Sequence, residues 1–233
     1  MKKLFLLLGV ALFATTPLYA QERSQKEINK EVQALLKMSK QELNEKASKD
    51  AKKEAKRLAK EGWVVGAGHL PLEKMLDRSY QMQYQYGEDL LPKYITGDAK
   101  TIAENYDAGK LQALAVARLN AAGSIESNIT ALIDTKLANG QLGQEEAVSL
   151  AQTVSGSKEI ISKKLGRTIP VVECYRVLAN KNQEVRVVIF YDFKAAQKVA
   201  AEALKEEIKE KKRAELGAKA DELIKSVDKL LGL

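Results

Sequence analysis

Thr168-Ile169-Pro170-Val171-Val172-Glu173-Cys174-Tyr175-Arg176-Val177 and Glu184-Val185-Arg186-Val187-Val188-Ile189-Phe190-Tyr191 are two runs dense in β-branched and aromatic residues. Six residues separate them, Leu178-Ala179-Asn180-Lys181-Asn182-Gln183, and most are polar turn formers. Two strands joined by a turn is the reading this pattern demands, a β-hairpin. In an extended chain successive side chains alternate between faces. Val185, Val187, Ile189 and Tyr191 therefore share one side of the second strand, and Arg186, Val188 and Phe190 the other. Both sides carry large apolar groups, so the second face also requires a cover, which flanking helices can supply.

Working outward, both flanks have helical spacing. Downstream, from about Lys194, Phe193, Ala196, Val199-Ala200, Ala203-Leu204 and Ile208 recur every three or four residues, as do Leu223-Ile224, Val227 and Leu230-Leu231 further on. Gly217 is expected to be a joint between them. Upstream, Glu145 to Lys164 reads as one helical segment. Before it, Asn105 or Asp107 can cap a long helix, with Leu111, Leu114-Ala115, Leu119 and Ala122 as its expected buried face and Asn139-Gly140 as its stop. Pro71 suits the first turn of a helix through Leu72, Met75, Leu76 and Tyr80. Trp63-Val64-Val65 and Lys93 to Thr96 read as short strands. The fold class is α+β: a small antiparallel sheet with a hairpin in the C-terminal half, packed against Ala-rich helices, plus long helical arms.

The N-terminus has a different character. Lys2-Lys3, the apolar run Leu4 to Ala14 and the small residue Ala20 have the form of a cleavable secretory leader, too short for a membrane span. Residues 1–20 are assigned to it and residues 21–61 to a charged helical arm. An α+β domain is expected over 62–204 and a helical extension over 205–233. In the arm, Ile28, Val32 and Leu35-Leu36 mark one amphipathic helix. Ser39 with Glu42 forms a capping box for a second that runs to about Lys60, whose alanine-rich apolar face looks too thin to bury much surface. The whole chain carries a formal net charge of +7, of which Lys2 and Lys3 contribute two. Nine Lys or Arg against four acidic residues lie between Lys37 and Lys60. Such a cluster is either a solvated helix face or a contact for an anionic lipid, an anionic envelope polymer or an acidic protein. Nucleic acid is disfavoured by the leader and by the absence of a recognition motif. The single cysteine, Cys174, has no internal partner and reads as a small buried strand residue. Pairing of the arms could also make a homo-oligomer.

The chemistry-bearing residues are sparse. His69 is the only histidine, between Gly68 and Leu70-Pro71, and a lone histidine without cysteines or an acidic cluster makes a poor metal site. Asp89, Asp98, Glu104 and Asp107 could supply a carboxylate pair for glycoside hydrolysis, but nothing in the sequence fixes their separation. Ser155-Gly156-Ser157 is not a nucleophile elbow. Gly66-Ala67-Gly68 lacks the spacing and context of a nucleotide loop. Asn128-Ile129-Thr130, a glycosylation sequon, falls on a helix. Tyr80, Met82, Tyr84 and Tyr86 alternate with Gln81, Gln83 and Gln85; core packing is the expected role, stacking on sugar the other. No catalytic, cofactor-binding or metal-binding residue is therefore assigned.

Gly68 to Lys74, Lys93 to Gly97 and Lys164 to Arg176 together resemble an uncharacterised family of secreted proteins from Bacteroidales. More distantly, the order strand, Ala-rich helix, helix, hairpin, helix is similar to the small outer-membrane lipoprotein antigen family of Helicobacter and to the N-terminal domain of a periplasmic flagellar assembly protein. The chain lacks the acylated cysteine of those lipoproteins. The resemblance implies a small α+β envelope domain without known catalytic residues, periplasmic or peripheral to the outer membrane. The functional expectation is a non-enzymatic cell-envelope structural or protein-interaction protein, with an envelope hydrolase acting on peptidoglycan or glycan as the alternative.

Overall fold

The sheet is three-stranded and antiparallel in the order β1-β3-β2, with β1 at Tyr94–Ala103, β2 at Ile169–Val177 and β3 at Gln183–Asp192. β2 and β3 are the hairpin. Its turn is closed by the Leu178 N–H donating to the Asn182 carbonyl at 2.8 Å, with Lys181 at a φ of 68°. A bulge between Pro170 and Val172 shifts the register at the start of β2. This computed structural model describes residues 46–87, 91–166, 168–212, 217 and 219–232, and all of these but Lys46 belong to one unit, Ala47–Leu233. The leader, the first arm helix and the Ser39–Glu42 box lie outside the described residues.

The helices are α1 (Lys49–Lys60), α2 (Leu72–Gln83), α3 (Tyr106–Ala138), α4 (Gln144–Gly156), α5 (Lys158–Lys164), α6 (Phe193–Glu207) and α7 (Lys219–Leu231). A π-helical turn, Ile208–Lys212, prolongs α6. The central strand β3 is covered on both faces, as its alternation required. Val185, Val187 and Ile189 enter one cluster with α3, α4, α5, α6 and α7, while Val188 and Phe190 enter another with α1, α2 and Trp63. Phe190 meets the Tyr94 ring edge-on at 6.2 Å.

Three expectations need correction. β1 is ten residues long where only Lys93 to Thr96 read as a strand, because Gly97-Asp98-Ala99-Lys100 has little intrinsic strand preference and is held by pairing with Ile189 to Arg186. The helical stretch Glu145 to Lys164 is broken at Ser157, where Gly156 packs against Glu207 so closely that a Cβ would lie 2.6 Å from its Oε1. The alanine-rich face of the last arm helix, expected to bury little, is buried at Ala47, Ala51 and Leu58 against α2 and the sheet. The chain is non-helical at 46–48, and Ser48 caps α1 by accepting the Ala51 N–H. Alanine is the right size there, since it lets α1 lie close. At the other terminus Ala220, Leu223, Val227, Leu230 and Leu231 of α7 are buried in the α3 cluster.

The packing of α3 explains a fourth difference. Its buried residues are Gly109, Ala113, Ala117, Ala121, Ile125, Ile129 and Ile133, a strict repeat of four, joined by Ala122. Four residues overshoot one helical turn by 40°, so the contact face swings about 240° around the axis from Gly109 to Ile133. The small first half lies on β1 and β3, and the isoleucines of the second half meet the helical layer. Leu111 and Leu119, expected inside, are 70% and 39% exposed. Gly97 of β1 permits this approach: a Cβ there would be 2.9 Å from the Ala117 carbonyl carbon, nearer still to its oxygen, and 3.1 Å from Ala121 Cβ. Asn120 Nδ2 reaches from α3 to the Asp98 carbonyl at 2.8 Å.

Candidate functional site

Glu173 is the one acidic residue of β2, and it is 5% exposed. Its neighbours Val172 and Cys174 point to the α1–α2 side, so alternation turns Glu173 to the α3 side. Asn105 starts α3 by accepting the Ala108 N–H at 2.9 Å, which sets Tyr106 in the first turn and Lys110 one turn on. The Tyr106 hydroxyl donates to Glu173 Oε1, and Lys110 Nζ lies 2.7 Å from the same oxygen. His69 completes the group with Nε2 3.5 Å from that oxygen. It is delivered by a tight turn in which its N–H donates to the Gly66 carbonyl at 3.3 Å and Gly68 takes a φ of 84°. A Cβ on Gly66 would touch the His69 ring at 3.3 Å and approach the Tyr106 hydroxyl at 3.7 Å. The glycines here fit a loop against a polar cluster. Tyr175 packs on the Tyr106 ring with centroids 5.0 Å apart.

The electrostatics limit what this cluster can do. Burial, then the hydrogen bond to Glu173, pushes the Tyr106 hydroxyl well above the ordinary tyrosine range. Tyr106 is therefore a phenol donor at neutral pH, not a base. The contacts of Glu173 are a phenol, an ammonium and an imidazole, with no second carboxylate among them. Glu173 is buried while Lys110 and His69 are each about one third exposed, so the contacts chiefly spare Glu173 an unpaired buried charge. The cluster therefore ties α3, β2 and the loop before α2 together.

The other residues singled out from sequence are scattered. Asp98 holds Arg186 through two hydrogen bonds, 2.6 and 3.2 Å, and this keeps the Arg186 guanidinium above its usual range. Asp107 lies in the first turn of α3, and Glu104 is exposed just before it. Asp89 lies outside the described residues. Cys174 is buried, and burial pushes its thiol up to about 11. Ser157 is buried with its hydroxyl donating to the Val154 carbonyl. Asn128 to Thr130 are helical. Tyr80 and Met82 pack in the α1–α2 cluster, but Tyr84 and Tyr86 are 70% and 56% exposed, contrary to a core role. Among the described residues, no group of three or more His, Cys, Asp or Glu is placed to hold a metal ion. Sequence reasoning missed Glu173 itself. The signal was a lone acid inside the apolar run Val171 to Tyr175.

A second surface is electrostatic. Lys49, Lys53, Lys56 and Lys60 recur at steps of four, three and four along α1, which aligns them opposite the buried Ala51 and Leu58. All four are exposed. At 1.5 Å rise per residue the row is about 16 Å long. Arg57, by contrast, is occupied by Glu54 and Glu61. No family model, curated protein or solved structure matches the chain. No helix among the described residues is long and apolar enough to cross a membrane.

Proposed function

We propose that the protein is a non-enzymatic structural or interaction component of the cell envelope that holds an anionic envelope polymer along α1. The observation that carries this reading is the row Lys49, Lys53, Lys56 and Lys60. These four ammonium groups lie on one line, on a helix that Ala47, Ala51 and Leu58 fasten to the body. A single exposed lysine gives little affinity in water, but several presented together to a dense anionic surface contribute about 1 kcal/mol each. Four amount to about 4 kcal/mol, close to a thousandfold in binding. The interaction is screened at high salt.

The test is co-sedimentation of the full chain with lipopolysaccharide and, in parallel, with vesicles of phosphatidylcholine alone or with phosphatidylglycerol. Binding to lipopolysaccharide should fall by at least tenfold in the Lys49→Gln, Lys53→Gln, Lys56→Gln, Lys60→Gln variant and in high salt. Preference for phosphatidylglycerol vesicles would move the ligand from polymer to bilayer. Binding untouched by the four substitutions would overturn the assignment to α1.

The alternative, a hydrolase acting on peptidoglycan or glycan, has its support in the buried Glu173 with His69 beside it. It requires Glu173 to exchange protons with a substrate while Tyr106 and Lys110 occupy Oε1. Turnover of peptidoglycan fragments by the wild-type chain, abolished in Glu173→Gln, would establish that reading in place of the first.

A further inference from the structure

The outer side of α3 carries a stripe that the fold leaves partly bare. Asp107, Leu111, Leu114 and Arg118 follow one another at steps of four, three and four, and at 3.6 residues per turn they fall within an arc of about 60°. Asp107 is exposed, Leu111 is 70% exposed, and Leu114 and Arg118 are half-buried. Exposed Ala115 and Leu119 widen the stripe on one side. It starts just after the helix cap, Asn105, and ends before Ala121 and Ala122, which are buried, so its length is about 16 Å. Three charges lie on this part of the helix. Lys110 is taken by Glu173. The other two, Asp107 and Arg118, stand at opposite ends of the stripe, and neither has an ion-pair partner among the described residues. Arg118 Nε is moreover buried with no hydrogen-bond partner there.

Steps of four, three and four read the same in both directions. A second α3 laid antiparallel on the first therefore meets it in register. Leu111 faces Leu114 of the other copy, and Asp107 faces its Arg118, at both ends at once. Parallel pairing would instead set Asp107 against Asp107 and Arg118 against Arg118. A different protein would have to reproduce this order of charges, whereas another copy supplies it by two-fold symmetry. We propose that this stripe is a contact between two copies of the chain, an antiparallel α3 pair closed by two Asp107–Arg118 ion pairs. A contact of this length buries less than the roughly 1,200 Å² of a standard interface, which makes the dimer weak and reversible. The surface shares no residue with the α1 row and stands or falls separately from it.

The test is sedimentation velocity of the full chain over a range of concentrations up to about 1 mM, with a dimer dissociation constant of about 10 µM to 1 mM expected. Leu111→Gln should weaken the dimer by at least about tenfold, since each pair loses two leucines from its centre. Asp107→Arg and Arg118→Asp should each weaken it by about three- to thirtyfold, by setting like charges face to face. The double reversal, Asp107→Arg with Arg118→Asp, puts opposite charges back at both ends and should return the dimer to within about threefold of the wild type. Trp63 is buried in the core, so unchanged tryptophan fluorescence shows that each variant is folded. A wild-type chain that stays monomeric throughout overturns the proposal, as does a dimer indifferent to Leu111→Gln. A double reversal that dimerises no better than the single reversals would remove the antiparallel register and equally overturn it.

Discussion

Gly97→Ala and Gly109→Ala add the same methyl group at the same interface, between α3 and the sheet, and should differ sharply. At Gly97 the new Cβ would lie 2.9 Å from the Ala117 carbonyl carbon and 3.1 Å from Ala121 Cβ. These are helix atoms that cannot rotate aside. Carbon atoms in contact prefer about 3.5–4.0 Å, so α3 must retreat by roughly 1 Å, and a gap of that size forfeits up to about half of each contact's dispersion energy. The loss spreads along Gly109, Ala113 and Ala117, so the cost should reach or exceed the usual overpacking range of about 1–3 kcal/mol. At Gly109 the Cβ would lie 2.6 Å from Val185 Cγ2, a side-chain methyl, and the helix would gain about 1 kcal/mol from replacing glycine by alanine. A net cost of about 0–2 kcal/mol follows from these opposing effects. Urea unfolding followed by circular dichroism measures both, and a 3 kcal/mol loss lowers the melting temperature of a unit this size by roughly 6–12 °C. Gly97→Ala within about 1 kcal/mol of the wild type would refute the close approach from which the difference is derived.

Two other outcomes follow from the buried polar groups. The Cys174 thiol is pushed from 9.0 to about 11 in the folded chain, so its contribution to stability is fully present below about pH 9 and is lost as the pH rises through 11. The span corresponds to a few kcal/mol at most, on the order of 1 kcal/mol for each pH unit, and raised Tyr106 acts in the same direction at still higher pH. Urea midpoints from pH 8 to 11 should fall more steeply for the wild type than for Cys174→Ala; parallel curves would remove the buried thiol as a cause. At the cluster, a double-mutant cycle of Glu173→Gln and Lys110→Met should give a coupling of about 1–3 kcal/mol, and a value under about 0.3 kcal/mol would show that the two act independently.

The hairpin was legible because β3 alternates and both of its sides carry large apolar residues, Arg186 being the polar exception on the second, a pattern that suits a strand covered on both faces. The α3 face was not legible by size. Leucine at 111 and 119 looks like core, yet close approach to the sheet selects glycine and alanine, and the large residues turn outward. β1 was recognised only where its residues favour strands, since the rest is imposed by β3 through tertiary pairing. The Ser48 cap was hidden by the stronger Ser39–Glu42 signature. His69, Tyr106, Lys110 and Glu173 are far apart in the chain, and no spacing rule could have joined them. Tyr84 and Tyr86 were visible as a pattern, but their exposure depends on where α2 ends.

Asn120 bears on how molecules of this protein behave toward one another. Lys93 accepts from the Phe193 N–H, so alternate residues from Ile95 onward bond to β3, while the peptide groups of Tyr94, Thr96, Asp98, Lys100 and Ile102 face the outer side of the sheet. A bare strand margin of this length is a template for a strand from another chain, the first step of fibrous aggregation. Asn120 occupies the Asp98 carbonyl near the middle of that margin. An incoming strand could then pair with either end but not zip across the whole, and two short half-registers gain too little to hold it. A single surface amide thereby interrupts the outer margin of β1 near its middle.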